Sequence, residues 1–192
     1  MTDFQITSKT FGGRQILGPI SLKLIGGEIT ALLGASGVGK STLLRIIAGL
    51  ANDDAGTVQP KRRLGMVFQE PRLLPWKTAL QNVELAGEER GLLAALGVAH
   101  AKHLYPRQLS LGMARRVSIA RALASNPQLL ILDEPFASLD EESAAISRHV
   151  IMNTAQNTDI TTLFVTHDKA EAKTLATRIF TLLGQPAQLL EA

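Results

Sequence analysis

Residues 34–41 read GASGVGKS, which matches the phosphate-loop pattern of Gly, any four residues, Gly, Lys and then Ser or Thr. An apolar run precedes them at residues 29–33, and apolar residues at helical spacing follow them. A strand, a glycine-rich turn and the beginning of a helix are the context in which this pattern binds phosphate groups. Glycines let the backbone approach a polyphosphate closely, and the beginning of a helix attracts negative charge. The pattern therefore predicts a phosphate-binding strand–loop–helix unit.

Two side chains of this loop carry specific chemistry. Lys40 is expected to reach the β- and γ-phosphates of a nucleotide, and the Ser41 hydroxyl is expected to bind Mg²⁺. The alternative is a glycine-rich turn that matches the pattern by chance. The position of the loop between a predicted strand and a helix that begins near Ser41 favours the phosphate site.

The second chemical feature is an aliphatic run, residues 129–132, that ends in Asp133 and Glu134. The run does not alternate with polar residues, as is typical of a central parallel strand, and ligands bind beyond the carboxyl ends of such strands. Asp133 would hold Mg²⁺ through a water, and Glu134 would polarise the attacking water as a general base. Side chains along a strand alternate between faces, so Glu134 need not crowd Asp133. The alternative is a solvated turn before Pro135.

The rest of the chain divides into an α/β pattern and a helical middle. Strands are predicted at residues 21–24, 63–68, 161–165 and, last along the chain, 178–183. Helices are predicted at residues 41–50, 79–86, 89–96, 112–124, 141–154 and 169–176. Strand–helix alternation on both sides of the helical middle predicts an α/β fold with a mainly parallel sheet and a helical insertion.

Composition excludes several other classes of protein. The chain has 192 residues, 45% of them hydrophobic and 19% charged, which is typical of one folded domain. It contains no cysteine, so a disulfide framework, a zinc finger and a thiol nucleophile are excluded. The net charge is +3, and no run of basic residues indicates a nucleic-acid partner. The first residues lack the pattern of a secretory signal, and no apolar stretch is long enough to span a membrane.

Four further short segments occur in a defined order along the chain. They are residues 67–70 (VFQE), 109–116 (LSLGMARR), 138–140 (SLD) and 166–168 (THD). Together with the phosphate loop and the acidic pair, they resemble the Q-loop, signature, D-loop and switch-histidine segments of the nucleotide-binding subunits of ABC transporters. The resemblance covers nearly the whole chain, and the order of the segments is more specific than any one of them.

This resemblance implies a particular version of the α/β fold. The family has a P-loop NTPase (RecA-like) core with a mainly parallel sheet, an N-terminal antiparallel β subdomain and an inserted α-helical subdomain. We expect a single domain, in which residues 1–70 and 127–192 form the ATP-binding lobe. About residues 71–126 would form the helical lobe that carries the signature segment.

The resemblance also assigns roles to single residues around Mg²⁺-ATP. The residues implied to take part in catalysis are Glu134, His167, Lys40 and Gln69. The residues implied to bind Mg²⁺ are Ser41, Gln69 and Asp133. The residues implied to bind ATP are Phe11, Gly34, Ala35, Ser36, Gly37, Val38, Gly39, Lys40, Ser41, Thr42, Ser110, Gly112 and Asp140.

Two of these residues have plain structural alternatives. Phe11 would stack on adenine, but an aromatic residue before a Gly-Gly turn could simply pack the N-terminal strands. His167 taken alone would be an ordinary surface or core histidine. Its place at the end of a predicted strand, after the acidic pair, favours the catalytic role.

Ser110 is the residue through which the signature segment would contact a second copy of the chain. It is a suitable N-cap for the predicted helix 112–124, so this helix end can bind an anion. The resemblance implies that the helix end faces the γ-phosphate bound by the other copy, in a head-to-tail homodimer with two ATP sites. Leu111 stands where the family usually has glycine, so activity is expected to be retained, and weakened if the leucine crowds the anion. Met113 in place of glutamine is a milder change.

Residues 68–76 (FQEPRLLPW) are the most distinctive segment for a subfamily. They look like the importers for nitrate, sulfonate, taurine and related solutes. By resemblance, the membrane permease would insert a short helix near residues 69–76, with Trp76 as an anchor of the contact. The alternative is that Trp76 only packs the helical lobe.

The leading hypothesis from the sequence is therefore the ATP-hydrolysing subunit of an ABC importer. It would be a peripheral protein on the cytoplasmic side of the inner membrane, bound to a permease and served indirectly by a solute-binding protein. One alternative is an ABC-type ATPase of nucleic-acid repair or translation. Another is a regulatory module with degraded catalysis, for which Leu111 is the support. A phosphate-loop kinase would explain neither the signature segment nor the His167 segment.

Overall fold

A computed structural model describes residues 2–56 and 62–191 of the chain. Its strands are β1 (Thr2–Ile6), β2 (Lys9–Phe11), β3 (Arg14–Leu17), β4 (Ile20–Leu24), β5 (Ile29–Leu33), β6 (Leu64–Val67), β7 (Leu129–Asp133), β8 (Thr161–Thr166), β9 (Arg178–Gly184) and β10 (Ala187–Glu191). Its α-helices are α1 (Lys40–Ile47), α2 (Ala79–Glu84), α3 (Leu92–Ala95), α4 (Leu111–Ala124), α5 (Glu141–Asn157) and α6 (Lys169–Leu175). Two 3-10 turns, Ala99–Ala101 and Pro106–Gln108, lie between α3 and α4.

Most strands belong to one eight-stranded sheet of order β2-β3-β10-β9-β5-β8-β7-β6. The five strands from β9 to β6 in that order are parallel, whereas β10 pairs antiparallel with β9 and β2 pairs antiparallel with β3. Leu33 at the end of β5 pairs with Thr166 of β8, and Asp133 at the end of β7 pairs with Val165. The carboxyl ends of three central strands therefore meet at one edge of the sheet.

Both faces of the central sheet are buried, which explains the non-alternating aliphatic run in β7. Leu130 and Leu132 pack in a cluster with residues of α2 to α6, while Leu129 and Ile131 pack in a cluster with α1, β1 and β4. On the first face the rings of Phe136 and Phe164 lie 5.6 Å apart. Burying one such aliphatic side chain contributes about 1.5–3 kcal/mol, so these two layers fix the sheet that carries the loop and the acids.

The predicted elements are confirmed, with two corrections. The strand at residues 178–183 is not the last one, because β10 follows it and returns antiparallel, with Ala187 opposite Gly184. The helix predicted at residues 89–96 is shorter. Arg90 and Gly91 have positive φ angles of 45° and 78°, and Glu89 accepts hydrogen bonds from the N–H groups of Gly91 and Leu93, so α3 begins at Leu92.

The N-terminal antiparallel region is present and divides between two sheets. β1 and β4 form a separate antiparallel pair, with Thr2 opposite Leu24, whereas β2 and β3 extend the main sheet. Within residues 2–56 and 62–191, no helix combines the length and the apolar character needed to cross a bilayer.

Candidate functional site

The candidate site is an open cleft of about 400 Å³ at the carboxyl edge of the parallel strands. It collects side chains from the hairpin β2–β3, the loop before α1, the segment after β6 and the end of β7. The residues that line it are Phe11, Ile16, Ser36, Gly37, Gly39, Lys40, Ser41, Thr42, Gln69, Asp133 and Glu134. Ile16 is a lining residue that no sequence motif had indicated.

The phosphate loop joins β5 to α1 in a conformation that requires glycine. Gly39, the N-cap of α1, has a φ of 115°, and a Cβ added there would lie 2.8 Å from Leu17 Cδ2. Gly37 has a φ of 78°, with open space around its Cα. The close approach at Gly39 brings the loop down onto β3, and α1 then begins at Lys40 with its N–H groups at the cleft.

Lys40 is held across its own loop. Its ammonium group donates to the carbonyl oxygens of Gly34 at 2.7 Å and Ala35 at 3.0 Å, and the residue is only 8% exposed. A buried ammonium needs such partners because an unpaired charge away from water is costly. The positive charge is therefore fixed inside the loop that the sequence predicted to hold phosphates.

Asp133 is a buried carboxylate at the end of β7. Burial raises its pKa, and the charge of Glu134 raises the pKa further, while Lys40, a hydrogen bond with Ser41 and Arg115 oppose the rise. The Asp133 carboxylate thus lies beside the Ser41 hydroxyl, with the charge of Glu134 close by. Carboxylate, hydroxyl and amide oxygens are the ligands that Mg²⁺ prefers, so Ser41, Asp133 and Gln69 suit this ion chemically.

Glu134 does not continue the strand, so the strand alternation on which the sequence argument depended does not separate it from Asp133. The β7 strand ends at Asp133, and Glu134 has a left-handed φ of 47°. Its N–H donates to the carbonyl of Val165 at 2.9 Å. The two carboxylates are close enough for the charge of Glu134 to raise the pKa of Asp133.

His167 and Glu134 contact each other at the mouth of the site. Nδ1 of His167 lies 3.2 Å from Oε1 of Glu134, and the histidine side chain is 66% exposed whereas that of Glu134 is 15% exposed. Since β8 and β7 are neighbours, the segment after each strand reaches the same place. The contact between the acid and the predicted switch histidine, which the sequence did not predict, follows from that strand order.

Arg115 is a functional candidate that the sequence analysis did not select. It lies on α4 and is only 4% exposed, yet it carries a full charge. Its Nη1 donates to the carbonyl of Glu134 at 2.7 Å and its Nη2 donates to the carbonyl of Gln69 at 2.7 Å. Burial lowers its pKa, and the charges of Glu134 and Asp133 oppose that shift. Arg115 lies within the signature segment next to the half-buried Arg116, and no sequence signal separates the buried arginine from its neighbour.

Several predicted residues lie away from the cleft. Ser110 caps α4 by accepting from the N–H of Met113 at 3.1 Å, and α4 begins at Leu111, one residue before the prediction. Asp140 caps α5 by accepting from the N–H and hydroxyl of Ser143, and these bonds lower its pKa. The residues predicted to bind ATP that do not line the cleft are Gly34, Ala35, Val38, Ser110, Gly112 and Asp140.

Those residues fall into two groups. Gly34 and Ala35 line a neighbouring cavity together with His167, and Val38 packs on the hydrophobic cluster around α1. Ser110, Gly112 and Asp140 belong instead to the beginnings of α4 and α5, where Gly112 faces Leu139 and the carbonyl of Ser138. The signature and D-loop segments therefore lie next to each other, outside the cleft of their own chain.

Two of the exposed aromatic side chains, Phe11 and Trp76, were given functional roles by the sequence. Phe11 is 55% exposed at the cleft, and the Lys9 ammonium lies 5.2 Å from the centre of its ring. Trp76 is 69% exposed, so it does not pack into the helical region as the structural alternative required.

A strand, a glycine-rich loop that begins a helix, and carboxylates at the end of the next-but-one strand define a phosphate-loop nucleotide-binding protein. Residues 17–137 match the sequence model of the family described as "ABC transporter". The chain belongs to this family. The family, the fold class and the activity class that the motif order implied, an ATPase, are confirmed.

Individual relatives cover most of the chain. The aliphatic sulfonates import ATP-binding protein SsuB 1 of Pseudomonas aeruginosa is 43% identical over 203 residues, which span 94% of this chain and 81% of the relative. SsuB of Corynebacterium glutamicum is 41% identical over 91% of this chain and 76% of its own length. A solved dimeric ATP-binding cassette in a post-hydrolysis state, bound to ADP and Pi, matches with a TM-score of 0.89 and 29% identity, over 100% of this chain and 98% of that one.

Proposed function

We propose that this chain is the ATP-hydrolysing subunit of an ABC importer and couples Mg²⁺-ATP binding and hydrolysis to solute movement through a separate permease. The observation that carries the proposal is the convergence of Lys40, Ser41, Asp133 and Glu134 on one cleft, with His167 on Glu134. Relatives named as import ATP-binding proteins support the direction of transport.

Binding of the triphosphate would exchange the present partners of Lys40. Its ammonium leaves the carbonyls of Gly34 and Ala35 for phosphate oxygens, while the N–H groups of the loop and of the first turn of α1 donate to the same phosphates. Ser41, Gln69 and Asp133 would hold Mg²⁺, which when bound neutralises charge on the phosphates. Relief of the repulsion between Asp133 and Glu134 favours the cation there.

Glu134 is the proposed general base. Its carboxylate lies at the edge of the cleft, where it can accept a proton from a water that attacks the terminal phosphate. His167 orients that carboxylate through the 3.2 Å contact between Nδ1 and Oε1. Phe11, half-exposed at the cleft, offers a face on which a base can stack.

The second half of the site is proposed to come from another copy of the chain. Ser110, Gly112 and Asp140 lie outside the cleft of their own chain, although the resemblance assigns them to ATP. A head-to-tail homodimer places the beginning of α4 from one copy over the phosphates held by the other. Similar cassettes solved as dimers support dimerisation.

The permease is proposed to contact the segment 69–76. Trp76 projects from it, and a groove of about 270 Å³ lies beside it, lined by residues that include Arg45, Phe68, Gln69 and Arg72. A solute-binding protein would act through the permease, and the chain would sit as a peripheral subunit on the cytoplasmic side of the inner membrane, without a nucleic-acid partner. No described contact and no comparison supports the repair, translation or regulatory alternatives.

The proposed division of labour follows the predicted lobes. One domain would combine an ATP-binding lobe, residues 1–70 and 127–192, with a helical lobe at about residues 71–126. The packing of α2 and α3 on α4 supports a helical lobe, and the packing of α4 on β6 joins that lobe to the sheet beside the Q-loop.

The variant Glu134→Gln tests this proposal through its ATP binding, its ATP turnover and its oligomeric state. Removing the base while keeping the shape should preserve ATP binding, stop turnover and trap an ATP-bound dimer. Light scattering after size exclusion should report twice the monomer mass with Mg²⁺-ATP and the monomer mass with Mg²⁺-ADP. A Glu134→Gln protein that still turns over ATP at the wild-type rate would contradict the assigned base.

A further inference from the structure

Arg115 is a buried residue with two short hydrogen bonds to which the proposed function assigns no role. A buried guanidinium loses its hydration, and only good hydrogen bonds offset that loss. Both terminal nitrogens make charge-assisted bonds of 2.7 Å, to the carbonyls of Glu134 and Gln69. Its Nε is buried and has no hydrogen-bond partner among the described residues. Burying the Arg115 charge therefore costs free energy. Its two hydrogen bonds show that the guanidinium holds the backbone of Glu134 and of Gln69.

Glu134 is the residue that most needs to be held. A non-glycine residue at a φ of 47° is strained, and such a conformation persists only when its surroundings impose it. Its N–H is fixed by the Val165 carbonyl, and its carbonyl accepts from Arg115 and, at 3.3 Å, from the N–H of Ala137. Arg115 thus completes the restraint on the backbone from which the carboxylate projects.

We infer that Arg115 is a positioning residue that locks the backbone of Glu134, and with it the direction of its carboxylate, to the helix that begins at Ser110. The same guanidinium ties Gln69 to that helix. Three parts of the site, which lie far apart in sequence, then move as one unit. The inference rests on the proposed function, because it matters for turnover only if Glu134 is the base.

Arg121 provides a matched control on the same helix. It is also partly buried and also donates to two carbonyls, with Nη1 2.8 Å from the oxygen of Arg72 and Nη2 3.0 Å from that of Pro71. Neither carbonyl belongs to Glu134. Replacing Arg121 therefore removes an equivalent pair of bonds from α4 without releasing the base.

The experiment compares Arg115→Met and Arg121→Met in steady-state ATP hydrolysis and in ATP titrations. Arg115→Met is expected to lower kcat by at least about tenfold, while KM and ATP affinity change by less than about twofold. Arg121→Met is expected to change kcat by less than about threefold. Arg115→Lys, which keeps the charge but can reach only one carbonyl well, is expected to recover part of the loss.

A double-mutant comparison separates positioning from general damage. In a Glu134→Gln background, where the base is already absent, Arg115→Met should cause a much smaller loss of residual single-turnover hydrolysis than in the wild type, limited to the effect of releasing Gln69. Arg121→Met should have the same factor in both backgrounds. If Arg115→Met folds poorly, as a thermal melt would reveal, Arg115→Lys is measured in the same two backgrounds with the same expectation.

The outcomes distinguish the inference from the function on which it rests. An Arg115 effect that is equal in both backgrounds, or that raises KM instead of lowering kcat, overturns the positioning role and leaves Glu134 as the base. Wild-type turnover by Glu134→Gln alone overturns both.

Discussion

Lys40 binds the oxygens of its own loop in the structure, at 2.7 and 3.0 Å, so a phosphate must compete with two carbonyls for it. A triphosphate succeeds because its charge makes stronger hydrogen bonds with an ammonium than neutral carbonyls do. Lys40→Ala should therefore weaken ATP binding by at least about 100-fold, equivalent to about 3 kcal/mol, in an isothermal titration. Lys169→Ala, in the neighbouring cavity, is the control, and unchanged affinity for Lys40→Ala would rule out this cradle.

The raised pKa of Asp133 predicts how the stability of the protein depends on pH. Because its pKa is raised in the folded state, folding favours the protonated form, and stability from this group falls as pH rises above the ordinary carboxyl value of 3.8. Asp133→Asn should therefore melt at a higher temperature than wild type at pH 7 in a nucleotide-free thermal melt. The difference should shrink as the pH falls towards 3.8.

The matched variant for that measurement is Asp140→Asn. The pKa of Asp140 is lowered by its bonds to Ser143, so its charge stabilises the fold and the sign is reversed. Addition of Mg²⁺-ATP should stabilise the wild type more than Asp133→Asn. A lower melting temperature for nucleotide-free Asp133→Asn at pH 7 would refute the claim that the ionised Asp133 carboxylate destabilises the folded state.

Sequence predicted the residues of the cleft better than it predicted their geometry. Glycine, lysine and carboxylate positions follow from the chemistry of phosphates, so the loop and the acidic pair could be found by pattern. The left-handed backbone of Glu134 and the burial of Arg115 depend on how α4 packs against the ends of β6 and β7. No local pattern carries that information, because both residues are common in exposed turns and helices.

Helix α4 begins at Leu111, whose side chain is 54% exposed beside the N-cap Ser110. A second copy that brings a triphosphate to this helix end would meet that side chain. Leu111→Gly should leave ATP turnover equal or raise it, and should lower the free energy of unfolding by at most about 1 kcal/mol, since glycine is a poor helix former. Leu111→Ala removes the bulk and keeps the helix propensity, so both variants should raise turnover alike if bulk is the cause.

The rate of ATP hydrolysis and the melting temperature are the two measurements for the Leu111 variants. A large fall in turnover for both variants would mean that the leucine itself supports the site. A fall for glycine alone, together with a loss of stability, would place its role in the helix instead of the phosphate contact.

Elements with strong periodicity were predictable, and short ones were not. The helices α1, α2 and α4 to α6 and the buried strands β5, β7 and β8 end within a few residues of their predicted bounds. Strands β2 and β3 have three and four residues, too few for alternation to be recognised. In β10 only Ala187 is buried, and the other residues are exposed or half-buried. The strand therefore has no buried apolar run from which it could be predicted.

The order of the strands is what brings the site together. β8 lies between β5 and β7, which places His167, directly after β8, between the phosphate loop and the acidic pair. Crossover connections decide this order, and periodicity reveals only that strands and helices alternate. The motif order along the chain supplied the missing information, because it identified a family whose topology the chain shares.

The head-to-tail dimer predicts a specific pattern of rescue between inactive variants. Ser110→Arg should block the helix end that completes the partner's site, whereas Glu134→Gln disables the site of its own chain. In a mixture of the two, half of the dimers contain both chains, and each of these has one intact site of two. Activity should therefore return to about a quarter of the wild-type rate.

The control mixture, Lys40→Ala with Glu134→Gln, should stay inactive because both lesions lie on the same side of the composite site. Equal behaviour of the two mixtures would exclude a site shared between copies.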